Sequence, residues 1–452
     1  MRYFGIVLVI MSLPAFYVWL QSNKRNYRYA YFAIGVLPFV MSPLNIDASL
    51  WEFGGLGYVK GVVVSIVDTL CLAILATKAR VSFRIPFAGL FAAYIAAALI
   101  SILPAPGFFE PFSYAFVLMR GFLVFVTIAT VVNQDNALRY IAAGVAVGAI
   151  VQGIVTPIQR LGGTFQVGGT IGHQNLTGMV LHFATLPLLA LLLAGNQSKL
   201  YMAGVTSGIV AVALGASRGS IFSLAVGLAL LITLSIIRHA SARKFAVAGL
   251  GVLLIAAASP IVIAGLETRV QGTGGTLLGK DGEREAFEEA ARAIWTDHPF
   301  GVGANRYTFV ANTGGYSERA GVTWAGNSRL AVVHNLYLLT GAELGWLGVL
   351  ALIPFLLWVI IRGLHFALTN RRDPRGDIVL GCTCAVLVTT LHSLYEWVFV
   401  MTVTQYVFAI SLGIISGLIV QQKTEIASKR REAKLARTSL QTSRAASPEA
   451  VK

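Results

Sequence analysis

Apolar runs long enough to cross a lipid bilayer recur along almost the whole chain, and no other feature restricts the fold as strongly. A spanning helix needs about 17–25 residues of mostly apolar character. Thirteen candidate segments fall near 3–20, 28–42, 60–77, 86–103, 112–132, 138–157, 174–194, 199–216, 219–237, 245–265, 333–361, 378–397 and 402–420. In lipid every backbone N–H and C=O must be paired within the protein, which leaves helices or closed barrels. The alternating pattern of barrel strands is absent, so the expectation is an all-α polytopic membrane protein of about 12–13 transmembrane helices. Charged residues make up only 12% of the 452 residues and apolar ones 56%, whereas soluble proteins carry about 25% charged residues. That excludes a soluble enzyme on an anchor, a disordered protein and a secreted disulfide scaffold.

The formal net charge of +15 invites a nucleic-acid reading, but its placement argues for a membrane. Lys24, Arg25, Arg28, Lys78, Arg80, Arg84, Arg139, Lys199, Arg238, Arg243, Lys244, Arg371, Arg372 and Arg375 occupy alternate short loops. Positive charge concentrates on cytoplasmic loops, so these face the cytoplasm and no nucleic-acid partner is expected. The intervening loops carry only Arg160 and Arg218 against Asp47, Glu52 and Glu110. This parity puts the amino terminus outside. The first apolar run is one span among many, which argues against a cleavable signal peptide. Cys71, Cys382 and Cys384 all fall within apolar runs and read as small buried hydrophobes.

Four regions follow: spans over 1–265, one large extracytoplasmic loop over 266–332, further spans over 333–420, and a basic, partly disordered cytoplasmic tail over 421–452. Within the loop, Ala286, Phe287, Ala290, Ala291, Ile294 and Trp295 recur at helical spacing with acids opposite. This predicts an amphipathic helix lying near the membrane surface. His298-Pro299 ends it and Gly301-Val302-Gly303 turns the chain. A Gly-rich stretch precedes it, but no Lys-Ser or Lys-Thr follows, which argues against a phosphate-binding P-loop.

Three polar features lie on the extracytoplasmic side. Arg218, inside Ser217-Arg218-Gly219-Ser220, either snorkels to the interface or presents its planar fork to a phosphate. Arg284 either pairs with Glu288 one turn on or meets an anion near the start of the loop helix. His334-Asn335 stands where polar loop becomes span. It is either a satisfied polar residue or an imidazole able to accept a proton from a hydroxyl. Asp68, His182, His392 and Glu396 are ionisable residues within apolar segments, but they are scattered along the chain. Glu343 is too far along its helix to partner His334 directly and is read as a positioning residue.

The run from His334-Asn335 through nine residues to Gly345, then two residues to Gly348, resembles the signature of bacterial O-antigen ligases. The stretch from Arg284 through Trp295 to His298-Pro299-Phe300-Gly301-Val302-Gly303 is similar to the periplasmic-loop pattern of the wider ligase and polysaccharide polymerase superfamily. So are Gly169 to Phe183, where many relatives have Asn in place of His173, and the Ser217–Ser220 turn. The likeness covers roughly residues 140–420.

The resemblance implies a multi-pass protein of the bacterial inner membrane with a site facing the periplasm. A polyprenyl-diphosphate-linked glycan would be the donor, and lipid A–core or a growing glycan the acceptor. His334 would orient or deprotonate the attacking hydroxyl, while Arg218 and Arg284 would hold the diphosphate. Asn335, Arg269 and Arg160 are further substrate-binding candidates, the two arginines without a tight motif match. The expected reaction is inverting and metal-independent and needs no cofactor. A transporter or flippase of lipid-linked glycans is the competing reading; it would not require His and Arg gathered on one face beside a large loop.

Overall fold

Because lipid offers no hydrogen bonds, the apolar segments fold as helices wherever they can close their own backbone bonds. A computed structural model describes residues 2–44, 47–52, 55–78, 85–251, 260 and 282–445 of the chain. The first half holds α1 (Arg2–Ser22), α2 (Asn26–Leu44), α3 (Ile66–Thr77), α4 (Ala88–Ile100), α5 (Phe109–Val131), α6 (Ala137–Leu161), α7 (Gln174–Leu193), α8 (Lys199–Leu214) and α9 (Arg218–Arg238). A further helix, α10, covers 242–251. Four loop helices follow: α11 (Gly282–Asp297), α12 (Tyr307–Thr313), α13 (Tyr316–Arg319) and α14 (Gly326–Arg329). The chain ends in α15 (Leu336–Thr369), α16 (Arg375–His392) and α17 (Thr402–Ala445). The protein is an all-α polytopic membrane protein.

Among the described residues, seven helices are long and apolar enough to cross a bilayer, and α3, α4 and α8 are shorter apolar helices of 10–17 residues. Most of the segment 245–265, and the loop up to residue 281, lie outside the described residues.

The segment expected to span from residue 60 to 77 divides in two. Gly61–Ser65 pairs antiparallel with Asp47–Glu52 as a two-stranded hairpin, β2 with β1, and helix starts only at Ile66. Three consecutive valines, Val62 to Val64, favour the pleated conformation. Ser65 and Asp68 then close a reciprocal capping box that starts α3.

Asp68 does more than cap. It accepts from Arg120 Nε on α5 at 2.7 Å and from the Tyr406 hydroxyl on α17 at 2.6 Å, all three being buried. A lone buried charge costs several kcal/mol, whereas a paired and hydrogen-bonded one is tolerated. Asp68 is therefore a structural tie between three helices, and Arg120, which hydropathy alone did not single out, is its counter-ion.

The apolar centre lies where α4, α5, α15 and α17 meet. Phe91 stacks on Phe355 at 5.2 Å between ring centroids, and Phe399 meets Phe408 edge-on at 5.1 Å. The basic tail differs from expectation: α17 continues as helix through it to Ala445. Its Ala, Lys, Arg and Glu are strong helix formers, and the preceding buried turns supply the nucleus that an isolated segment lacks.

Helix α15 is not continuous either. Gly345 has φ 64 and ψ −159, which separates a short leading helix from the longer remainder. The loop explains the break. Pro299–Gly303 lies alongside it, with Trp346 N–H donating to Pro299 O, Val302 N–H to Ala342 O, and Gly303 N–H to Glu343 O, at 2.9–3.0 Å. A Cβ at position 345 would collide with the Pro299 carbonyl and Phe300, so only glycine suits this φ and this approach. The glycines of this stretch thus differ in role. Gly345 breaks the helix, and Gly341 admits the Trp295 ring.

Replacing Asp68 with Ala leaves Arg120 buried without its main counter-charge. The expected cost is about 3–5 kcal/mol, read as a clear drop in the Tm of the purified protein in detergent. An unchanged Tm refutes the tie between α3, α5 and α17.

Candidate functional site

Arg218 and Arg284, far apart in sequence, line one pocket. Its walls are Asn175, Ser217, Arg218, Gly219, Arg284, His392, Tyr395 and Glu396. Asn175 comes from the first turn of α7, Ser217 to Gly219 from the start of α9, and Arg284 from the first turn of α11. His392 is the last residue of α16, and Tyr395 and Glu396 lie in the connection to α17. The pocket therefore sits at one end of the bundle, where α7 and α9 begin and α16 stops.

Local chemistry sets each wall. Ser217 is the N-cap of α9, its hydroxyl accepting from Ser220 N–H at 3.3 Å. This starts the helix immediately before Arg218. A helix amino terminus carries a partial positive charge, here adding to the guanidinium. Gly219 makes room for a neighbour: a Cβ there would stand 2.7 Å from the Tyr395 ring and 3.2 Å from His392 Nε2. Tyr395 is pinned in that space by a 2.6 Å hydrogen bond between its hydroxyl and Ser223.

Arg284 is held by the loop helix. The apolar face of α11 buries Ala286, Phe287, Ala290, Ala291 and Ile294, as its periodicity predicts. That face is covered by protein. Tyr307 donates to Phe287 O at 3.0 Å, and Trp295 packs on Trp346 at 4.6 Å. Glu288 pairs with Arg292 at 2.7 Å in a surface contact.

His334 stands at the flank of this arrangement. Its ring stacks on Phe287, one turn after Arg284, with centroids 6.1 Å apart. The following backbone is fixed to the end of α16: Leu336 N–H donates to Ser393 O at 2.9 Å, and Tyr337 donates to Thr390 O at 2.7 Å. Asn335 starts the helix that follows. Its side-chain oxygen caps α15, accepting from Tyr337 and Leu338 N–H at 3.0 and 3.1 Å.

The remaining candidates divide. Arg160 folds back on its own loop, donating to the Phe165 carbonyl and lying over that ring at 4.5 Å; it does not line the pocket. Arg269 lies outside the described residues.

Three residues that were scattered in sequence converge here. His392 and Glu396 line the pocket, and buried His182 on α7 meets His392 with ring nitrogens 3.3 Å apart. Asn175 was missed, although it lies inside the Gly169–Phe183 motif, because nothing in its spacing distinguishes it from a helix-starting residue. Its amide donates to Glu396 Oε2, and Trp397 N–H donates to Oε1 at 3.1 Å. Two guanidiniums facing a partly open pocket, with one buried carboxylate opposite, suit a doubly charged phosphate ester.

Removing the Asn335 cap by substitution with Ala is expected to cost about 0.5–2 kcal/mol, while Asn335→Asp keeps the cap and most of the stability. Thermal unfolding of the two variants checks this; equal stability of Asn335→Ala and wild type would mean that the cap is dispensable.

Residues 202–353 match the family model described as O-antigen ligase. The matched segment contains Arg218, Arg284, His334 and the Gly345 break, whereas Asn175, His392, Tyr395 and Glu396 lie outside it. No curated protein matches the chain. By its segment 202–353 the chain is similar to O-antigen ligases, which supports a membrane enzyme like those of the O-antigen ligase and polysaccharide polymerase superfamily.

Proposed function

We propose that this protein transfers a glycan from a polyprenyl diphosphate to a sugar hydroxyl at the extracytoplasmic face of the bacterial inner membrane. The supporting observation is the meeting of Arg218 and Arg284 at one pocket mouth. As the bond between the anomeric carbon and the diphosphate breaks, negative charge grows on the leaving oxygen. Fixed donors in a partly dehydrated cleft stabilise that charge without reorganising. Two forked guanidiniums and the amino terminus of α9 provide this, so no divalent cation is needed in the step.

The acceptor hydroxyl attacks the anomeric carbon from the side opposite the diphosphate. A single displacement of this kind inverts the centre, while retention would require a separate nucleophile. His334, beside the first turn of α11, orients or deprotonates the acceptor. Lipid A–core is the acceptor we favour, since the His334-to-Gly348 spacing follows the ligase signature; a growing glycan is the acceptor if the protein is a polymerase. The positive loops lie at the opposite ends of these helices in sequence, which supports a pocket facing the periplasm.

Reconstitution with a polyprenyl-diphosphate oligosaccharide, with and without lipid A–core, tests the reading by gel. A shifted lipid A–core band marks a ligase, and a ladder formed without acceptor marks a polymerase. Donor moved intact across the bilayer with neither product overturns the transferase.

Arg218→Ala combined with Arg284→Ala is expected to lower kcat/KM at least about 100-fold, the scale of losing transition-state donors. EDTA should leave wild-type turnover unchanged. Wild-type rates in the double variant remove the anion-site assignment, and loss of activity in EDTA removes the metal-free step.

A further inference from the structure

Among the described residues lining the pocket, Glu396 is the only carboxylate. It is 2% exposed, a costly position for an acid unless its environment uses it. Asn175 holds Oε2 and the Trp397 amide holds Oε1. Each oxygen of an ionised carboxylate accepts about two hydrogen bonds, so both retain a free lone pair. The charged and titratable groups around it are Arg218 from α9, Arg284 from α11, and His392 and Tyr395 from its own segment, with His182 of α7 behind His392.

Resting on the transferase reading above, we infer that Glu396 is the catalytic residue that takes the proton from the acceptor hydroxyl, while His334 at the flank orients the acceptor. In the step, the hydroxyl O–H bond breaks and its proton passes to Glu396. The hydroxyl oxygen bonds to the anomeric carbon, and the carbon–diphosphate bond breaks with its electron pair leaving on the diphosphate. The two guanidiniums take up that charge. The proton then leaves Glu396 for water as product departs, and no redox partner is needed.

The surroundings tune the group for this work. Burial pushes the Glu396 carboxyl up to about 7, against the opposing pull of the Trp397 amide, Arg284 and Asn175. A base is most useful when its pKa lies near the working pH. Ionisation on raising the pH through about 7 creates the competent form, so the rate should rise across that interval.

A different task for Glu396, holding Arg284 as a counter-ion, predicts other behaviour. Losing a counter-ion strengthens donor binding and changes KM, whereas losing a base lowers kcat. The full-length protein in proteoliposomes, supplied with polyprenyl-diphosphate oligosaccharide and lipid A–core or glycan acceptor, distinguishes them. Glu396→Gln keeps the side-chain shape and one acceptor oxygen, while its NH2 donates instead, which the Asn175 amide can accept by turning over. It is expected to lose about 100-fold or more in kcat, with KM for the donor little changed and the rise in rate near pH 7 abolished. Glu396→Asp should recover part of the rate, with the rise displaced in pH. His334→Ala should be slower but keep the rise.

A Glu396→Gln protein with kcat within about twofold of wild type, or with altered donor KM alone, overturns the assignment while leaving the transferase intact. Should Glu396→Gln not fold, a Glu396→Asp profile coincident with wild type overturns it equally. Wild-type protein that makes no glycosidic product with any acceptor refutes the transferase reading itself.

Discussion

The carboxylate of Glu343 joins three parts of the chain that have no local reason to meet. It accepts from the Tyr58 hydroxyl at 2.7 Å, from Asn305 N–H at 2.8 Å and from Tyr307 N–H at 2.9 Å. Asn305 carries the clasp further, exchanging two hydrogen bonds with the backbone of Val59. The β-hairpin segment, the large loop and the leading piece of α15 thus close around one buried group. Hydrogen bonds to a charged acceptor are stronger than neutral ones, and burial in low dielectric strengthens them further. The loop helix that carries Arg284 and packs on His334 is tied to this junction through Tyr307. Tyr307 also reaches Phe287, which lies one turn from Arg284 and against the His334 ring.

The site is correspondingly composite. Its guanidiniums are set by helix starts, Arg218 by the Ser217 cap and Arg284 by an amphipathic helix whose apolar face is buried in protein. Its acid comes from the connection after α16. Helix termini are where backbone donors remain free and charge is least expensive to place near lipid. A pocket lined by charged side chains at the ends of α7, α9 and α16 therefore exploits a property that every bundle of spanning helices has. Gly219 lets Tyr395 and His392 approach α9 closely enough to close one wall.

Much of this was legible from residues alone. The number and length of apolar runs pointed to spanning helices, the Ala286–Trp295 spacing to an amphipathic loop helix, and the motifs singled out Arg218 and Arg284, which line one pocket. Other readings fell short for physical reasons. A valine run beside a capping serine turned the start of an expected span into strand, because β-branched side chains pack on a pleated surface. Asp68, His182, His392 and Glu396 looked alike as buried ionisable residues. Packing separated them into an ion pair with Arg120, a histidine pair and a pocket carboxylate.

What the amino-acid sequence determined by itself is the set of local decisions. Hydrophobic length sets which segments seek the bilayer, periodicity sets which face is buried, and capping residues set where helices begin. Each depends on neighbours within a few turns. Tertiary structure alone decided which helix ends are adjacent, and therefore that Asn175 touches Glu396 and that Arg284 faces Arg218's pocket. It also decided the break at Gly345, since that glycine is permissive by nature but is driven out of the helix only by the strand of loop from Pro299 to Gly303 lying against it. Contacts between distant segments follow from how whole faces fit together, and no window of sequence contains that information.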